Sequence, residues 1–216
     1  MSDRQQASDV AGRLLIVGTH NKKKARELEE LLAPVGFAVR TLADCANAVD
    51  VDETGGTFVE NATLKATQQA AHLRAWVLAD DSGLAVDALK GEPGVHSAVY
   101  AGPSATDADN RHKLLGAMQG IPAGRRGAQF VCHLVLADPT GVVRATSEGL
   151  CRGRIRESES GTGGFGYDPL FEILEYHRTF GELSAVVKSV ISHRARAMRA
   201  IVPQLVELAR SGPWQA

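Results

Sequence analysis

The chain has 216 residues, 24 Lys+Arg against 25 Asp+Glu, and a formal net charge of -1. That length suits one large domain or two small lobes with a proper core, and 44% hydrophobic with 23% charged residues excludes a disordered chain. The charge balance argues against a protein that coats nucleic acid, which would show a basic excess, but leaves room for a local anion site.

No apolar run approaches the roughly 20 residues that span a bilayer, so no membrane role is expected. Met1 to Gly12 reads as a loose polar leader without the apolar stretch of a secretory signal, which makes cytoplasmic residence the default. Residues 13–216 then form a single two-lobed domain. Cys45, Cys132 and Cys151 are widely spaced, in no CxxC or Cys/His cluster, and read as buried small apolar residues.

Leu14 to Val17 is a short apolar run ended by Gly18, the pattern of a buried strand. Ala25, Leu28, Leu31, Leu32 and Val35 recur at helical spacing behind Asn21, a suitable N-cap, and Pro34 and Gly36 close that helix. Phe37 to Leu42 is the next strand, which gives the strand–helix–strand opening of an α/β fold. A polar loop over 43–57 leads to a second helix marked by Phe58, Ala62, Ala66, Ala70 and Leu73.

Trp76 to Ala79 is a strand that runs into Asp80-Asp81-Ser82-Gly83, and residues 84–105 are rich in Gly and Pro. A helix follows over 108–118. Alternation from Gln129 to Leu136, the turn at Asp138–Gly141 and a long strand from Val142 to Ile155 form a hairpin. The glycine-rich loop 161–168 precedes a last helix from about Ser189, with Ile191, Met198, Ile201, Leu205 and Leu208 on one face. The architecture is α/β: two lobes sharing a mixed sheet.

Four constellations carry chemistry. Thr19, His20, Asn21, Lys22, Lys23 and Lys24 stand where the first strand turns into the first helix, and unpaired N–H groups there favour an anion. Three lysines at the positive end of a helix repel its dipole unless a polyanion neutralises them; a solvated basic helix start with an Asn cap explains the same residues. The spacing is not that of a Walker loop. Asp80-Asp81 at a strand's carboxyl end suit Mg²⁺, and one of them could take a proton from water, although Asp, Ser and Gly also make turns. Asp52 and Glu53 could add a ligand from the polar loop.

Gly161 to Pro169 offers Phe165 on a glycine frame, able to stack on a base, with Asp168 able to accept from base N–H groups. Lys188 with Ser192-His193-Arg194 brackets the last helix and supplies donors for phosphate or a ring carbonyl, where a charged helix start would look similar. The other histidines are scattered and suggest no zinc site.

In order, Thr19-x-Asn21-x-x-Lys24, Glu53-Thr54-Gly55 with Phe58-x-Glu60-Asn61-Ala62-x-x-Lys65-Ala66, Leu78–Leu84, Gly161–Pro169, and Lys188 with Ser192-His193-Arg194 closely resemble the inosine/xanthosine triphosphate pyrophosphatases. The resemblance covers nearly all of the chain beyond residue 13. It implies a two-lobed mixed-sheet fold with a nucleotide cleft between the lobes, a homodimer, and Mg²⁺-dependent hydrolysis of the non-standard purine nucleoside triphosphates ITP, dITP and XTP to monophosphate and pyrophosphate. It makes Asp81 the proton acceptor and a metal ligand, and Glu53 a second ligand. Thr19 to Lys24 and Lys65 hold the phosphates, with Ser82 nearby. Phe165, Gly166, Tyr167, Asp168, Lys188, His193 and Arg194 hold the base. Val99 stands where the family commonly has Arg, and Val186-Val187 where acidic residues are common. A different base preference, or a nucleotide sensor without turnover, are the alternative readings.

Overall fold

The computed structural model describes Val10, residues 12–212 and Trp214. Most of the expected leader therefore lies outside the described residues, while Val10 is buried in a core cluster. The described chain forms seven strands and five α-helices, joined in places by short 3₁₀ turns. The strands are β1 (Leu14–Val17), β2 (Ala38–Thr41), β3 (Val77–Val86), β4 (Gly127–Ala137), β5 (Val143–Ile155), β6 (Phe171–Ile173) and β7 (Arg178–Thr179). The helices are α1 (Lys22–Leu32), α2 (Phe58–Leu73), α3 (Asp107–Ala117), α4 (Ala185–Ile191) and α5 (His193–Arg210).

The strands form one sheet in the order β2-β1-β3-β4-β5-β6-β7. β1 is parallel to β2 and to β3, with Ile16 opposite Val77, whereas β5, β6 and β7 pair antiparallel. The sheet is mixed, as expected of this α/β chain. β6 and β7 are too short, at three and two residues, to leave a periodic signal in the sequence.

The chain divides into two compact units. Unit 1 comprises the residues up to Asp81, Cys132–Gly149 and the residues from Arg194 on. Unit 2 comprises Ser82–Val131 and Leu150–His193. Two of the chain crossings, Asp81 to Ser82 and His193 to Arg194, fall inside motifs that the sequence had singled out.

In unit 1 the period-2 alternation of the strands builds two separate cores. Leu15, Val17, Leu78, Cys132, Leu134 and Leu136 pack with Leu28 and Leu32 of α1 and with Met198, Ile201 and Leu205 of α5. Ile16, Val77, Ala79, Val135 and Ala137 face the other way, against Ala62, Ala66 and Ala70 of α2. Alanines at helical spacing let α2 approach the sheet closely. A capping box fixes where α2 begins: Glu60 N–H donates to Thr57 Oγ1 at 3.3 Å, and Thr57 N–H to Glu60 Oε2 at 3.0 Å.

Unit 2 has its own core of Leu84, Val86, Leu114, Met118, Phe130, Cys151, Ile155, Tyr167, Phe171 and Phe180. The last helix expected from Ser189 is two helices. Ser192 adopts an extended backbone, φ -66° and ψ 159°, which ends α4 and lets α5 start in a new direction. None of the three cysteines forms a disulfide; Cys132 and Cys151 are buried and Cys45 is half-buried. No helix among the described residues is long and apolar enough to cross a membrane.

Candidate active site

Asp80–Gly83, expected at the carboxyl end of a strand with a turn as the alternative, are the middle of β3, which runs on to Val86. Two carboxylates survive inside a buried strand because each is neutralised, and alternation decides by what. Asp80 follows Leu78 onto the α1/α5 face, and Asp81 follows Ala79 onto the α2 face. Adjacent in sequence, they point to opposite sides of the sheet and do not form a pair for one ion.

Asp80 is fully buried. Its Oδ1 lies 3.0 Å from Lys24 Nζ, and its Oδ2 accepts from Arg194 Nε at 3.0 Å and from the Cys132 thiol at 3.2 Å. Burial pushes its pKa up, but Arg194, Lys24 and Lys65 outweigh that and hold the carboxyl well below the usual range. Arg194, also fully buried, donates through Nη1 to Glu27 of α1 as well. Its guanidinium, expected at the base, is thus committed to two carboxylates of unit 1. The reason is that Arg194 is the second residue of α5, the helix packed beside α1. Cys132, expected as a plain apolar filler, gives its S–H to Asp80, and burial pushes its thiol pKa well up.

On the other face Asp81 Oδ1 accepts from Lys65 Nζ at 2.8 Å, and the same Nζ lies 3.0 Å from Glu53 Oε2. Asp81 Oδ2 is buried and makes no hydrogen bond among the described residues. Burial raises the Asp81 pKa to about 6, with Lys65 and Lys24 pulling it down and Glu53 pushing it further up. The Lys65 pKa rises, because Asp81 and Glu53 outweigh its own burial. Asp81 is therefore a carboxylate poised near neutrality, with one oxygen held and the other unoccupied by any donor. Among the described residues no group of three or more His, Cys, Asp or Glu side chains is arranged to hold a metal.

The lysine run does not act as a unit. Asn21 caps α1, accepting from Lys23 N–H at 3.0 Å and Lys24 N–H at 3.2 Å, and Thr19 Oγ1 accepts from Asn21 N–H at 3.3 Å. Helical spacing turns Lys24 inward to Asp80 and leaves Lys22 and Lys23 exposed at the helix start. His20 is exposed, with Nε2 3.3 Å from the Val49 carbonyl oxygen and 3.5 Å from Asp50 Oδ1.

Unit 2 carries the glycine loop. Gly161, Gly164 and Gly166 all have positive φ, and a Cβ on Gly164 would stand 1.9 Å from Asp168 Oδ2. That oxygen accepts from Phe165 N–H at 2.8 Å and from Lys188 Nζ at 2.6 Å. Asp168, Lys188 and His193 are buried, and Phe165 is half-buried with Lys188 Nζ 4.5 Å above its ring centroid. Asp168, expected to accept from a base, therefore fixes the Phe165 backbone and the Lys188 ammonium. Tyr167, expected among the base contacts, is held from within unit 2. Its side chain is buried in the unit 2 core and its hydroxyl donates to the Ser97 carbonyl at 2.8 Å. His193 stacks on Phe130 with centroids 4.8 Å apart. Ser82, half-buried, follows Asp81 in β3.

Sequence reasoning missed Glu27, Cys132, Asp107 and Arg111. Glu27 stands one helical turn beyond Lys24, and Arg111 one turn beyond Asp107, spacings that mark shared faces. Their partners at Arg194 and Gly166 lie 167 and 55 residues along the chain from Glu27 and Arg111, beyond any local signal.

Buried cations set against carboxylates on a mixed α/β sheet, with an aromatic loop framed in glycine, define a protein built for an anionic ligand that carries a flat group. The Ham1 family model matches residues 15–204, and the chain belongs to that family. It is 54% identical over 94% of its length to a Rhodopirellula baltica protein named dITP/XTP pyrophosphatase, covering 97% of that relative. An Exiguobacterium protein of the same name is 48% identical over 89% of this chain and 96% of its own. Among solved structures, a HAM1 protein from Coxiella burnetii superposes with a TM-score of 0.81 at 36% identity, covering 90% of this chain and 98% of that one.

Proposed function

We propose that this chain hydrolyses dITP, ITP and XTP to the monophosphate and pyrophosphate; relatives named dITP/XTP pyrophosphatase support the reading. The observation that carries the reading is Asp81: a buried carboxylate with a pKa near 6, one oxygen held by Lys65 and the other without a hydrogen bond. Ionised at neutral pH, Asp81 takes a proton from a water that attacks the α-phosphorus. The bond to the bridging oxygen breaks and pyrophosphate leaves with the electron pair. Lys24 and Lys65 neutralise the phosphate oxygens and Thr19 stands beside them, at the positive end of α1. The exposed Lys22 and Lys23, and His20, raise the local positive potential for the incoming anion.

Mg²⁺ fits the donor set. Asp81 Oδ2 is a buried oxygen lacking a partner, Glu53 shares Lys65 with it, and magnesium is usually held by one or two carboxylates plus substrate phosphates. When bound, the ion supplies charge neutralisation on the departing pyrophosphate. Lys65 keeps the two carboxylates together in the absence of substrate, and its ammonium is ready to turn to a phosphate.

The base is taken by Phe165, whose ring stacks on it, with the Gly166 backbone beside it and Lys188, His193 and Ser82 lining the approach. Hypoxanthine and xanthine present O6 as acceptor and N1–H as donor, where adenine shows the reverse. A mismatched buried polar group costs about 1–3 kcal/mol, so donors at His193 and Lys188 disfavour adenine. We assign Arg194 to Asp80 rather than to the base, and Tyr167 and Asp168 to holding the loop. The family resemblance further supports a homodimer, which sedimentation of the purified chain tests; the cytoplasm is its proposed place, which cell fractionation tests.

A panel of nucleoside triphosphates assayed for pyrophosphate release decides the substrate. Release from dITP, ITP and XTP in preference to ATP and GTP is expected. Equal rates on all five would replace this reading with a general pyrophosphatase, and tight binding without turnover would make the chain a sensor.

A further inference from the structure

Phe165 stands on a run of four glycines in six residues, Gly161 to Gly166, and such a backbone has little reason to hold one geometry. Within the loop, Phe165 N–H donates to Asp168 Oδ2 at 2.8 Å; Gly163 N–H donates outside it, to the Gly181 carbonyl at 2.9 Å. The next residue is held from outside the loop, on both of its backbone groups. Gly166 N–H donates to Asp107 Oδ2 at 3.0 Å, and its carbonyl accepts from Arg111 Nη1 at 2.9 Å.

Asp107 and Arg111 are the first and fifth residues of α3, hence neighbours on one helical face. Three features keep that face in place. The Thr106 capping box fixes the helix start, with Asp109 N–H on Thr106 Oγ1 at 3.2 Å and Thr106 N–H on Asp109 Oδ2 at 2.9 Å. Leu114 is fully buried in the unit 2 core. Asn110 binds the Ala98 carbonyl at 2.9 Å and the Ala101 N–H at 2.8 Å. Arg111 reaches further: its Nε lies 2.9 Å from Glu159 Oε1, two residues before the loop begins. A rigid helix thus grips the loop at Gly166 and steadies its entry at Glu159.

We propose that Asp107 and Arg111 are positioning residues for base recognition: they clamp Gly166 and so set the Phe165 ring in its stacking place before substrate arrives. The inference rests on the reading of Phe165 as the base platform. Ordering a backbone residue costs roughly 1–2 kcal/mol, and a clamp that meets this cost in the free protein leaves binding stronger. Its effect falls on nucleoside binding, since the side chains hold Gly166 and Glu159, both of unit 2. Asp107 acts through an acceptor oxygen, which Asn also offers; Arg111 acts through a donor fork, which Met lacks.

The test compares Asp107→Ala, Asp107→Asn, Arg111→Met and Phe165→Ala in full-length enzyme, reading KM and kcat for ITP and the inhibition constant of inorganic tripolyphosphate, which has no base. Asp107→Ala and Arg111→Met are expected to raise KM about 5- to 30-fold, with kcat within about twofold and tripolyphosphate inhibition unchanged. Asp107→Asn is expected to restore most of the affinity. In a Phe165→Ala background, Asp107→Ala is expected to cost little more, because the ring it positions is gone. A raised KM in Phe165→Ala with an unchanged KM in Asp107→Ala overturns the clamp alone. An unchanged KM in Phe165→Ala overturns the base platform and the clamp with it. Parallel losses for ITP and tripolyphosphate in Asp107→Ala show a general folding defect and likewise overturn the clamp.

Discussion

The two units solve the same problem, holding polar groups ready for a ligand, by different physics. In unit 1 the groups are charges in a buried strand, and each is fixed by an opposite charge: Asp80 by Lys24 and Arg194, Asp81 by Lys65. In unit 2 the main element is a ring on a glycine loop, fixed largely through backbone N–H and C=O groups that bind Asp168, Asp107 and Arg111. Charge pairs in a low-dielectric strand give strength and shifted pKa values, which suits proton transfer. Backbone contacts to a glycine frame give shape with little charge, which suits a flat base. Breaking one kind of support should therefore alter turnover, and breaking the other should alter binding.

The largest effect expected is on unit 1 chemistry. Asp81→Asn should lower kcat by about 10²–10⁴, the range for loss of a general base, while nucleotide binding measured by calorimetry is largely retained. Unaltered kcat would remove Asp81 as the proton acceptor. Next comes Asp80→Asn, which strips the buried Arg194 and Lys24 of their shared counter-charge. Loss of one partner from a buried pair costs about 3–5 kcal/mol, to be read from urea melts, whereas the exposed Arg26–Glu30 pair should contribute under about 1 kcal/mol.

A smaller effect belongs to unit 2. Phe165→Ala should raise KM for every purine triphosphate by the equivalent of about 1–3 kcal/mol of stacking, with kcat nearly constant. The subtlest prediction concerns pH. Because the Asp81 pKa is raised to about 6, the carboxyl keeps its proton to higher pH than an ordinary aspartate. Activity should thus fall as pH drops through 6, by about tenfold per unit below it, in a kcat/KM profile. Lys65→Met removes a charge that pulls this pKa down and should move the acid limb to higher pH. A limb left near pH 4 in the unaltered protein would show that burial does not govern Asp81.

Much of this was legible in one dimension. Apolar pattern located the five main strands and the helices α1, α2 and α3. Continuous runs marked β1 and the start of β3, which are buried on both faces, alternation marked β4, and helical spacing marked α1 and α2. Asn21 as the α1 cap, the glycine loop and the importance of Asp81, Lys65, Phe165 and Lys188 followed from residue chemistry and family resemblance. The turn weighed as the alternative at Asp80–Gly83 failed for a definite reason. Turn propensity describes a residue with local partners, and these residues have distant ones, Arg194 lying 114 positions beyond Asp80.

The sequence by itself determined the α/β class, the family and which groups are candidates for the chemistry, since these depend on local pattern and on residue type. Only the tertiary structure decided their allegiance. Strand alternation sent Asp80 and Asp81 to opposite faces, the break at Ser192 preceded the delivery of Arg194 to Asp80, and helix α3 took hold of Gly166. Those outcomes depend on which surfaces meet across 50 or more residues. Packing settles that, and the order of residues along the chain does not display it.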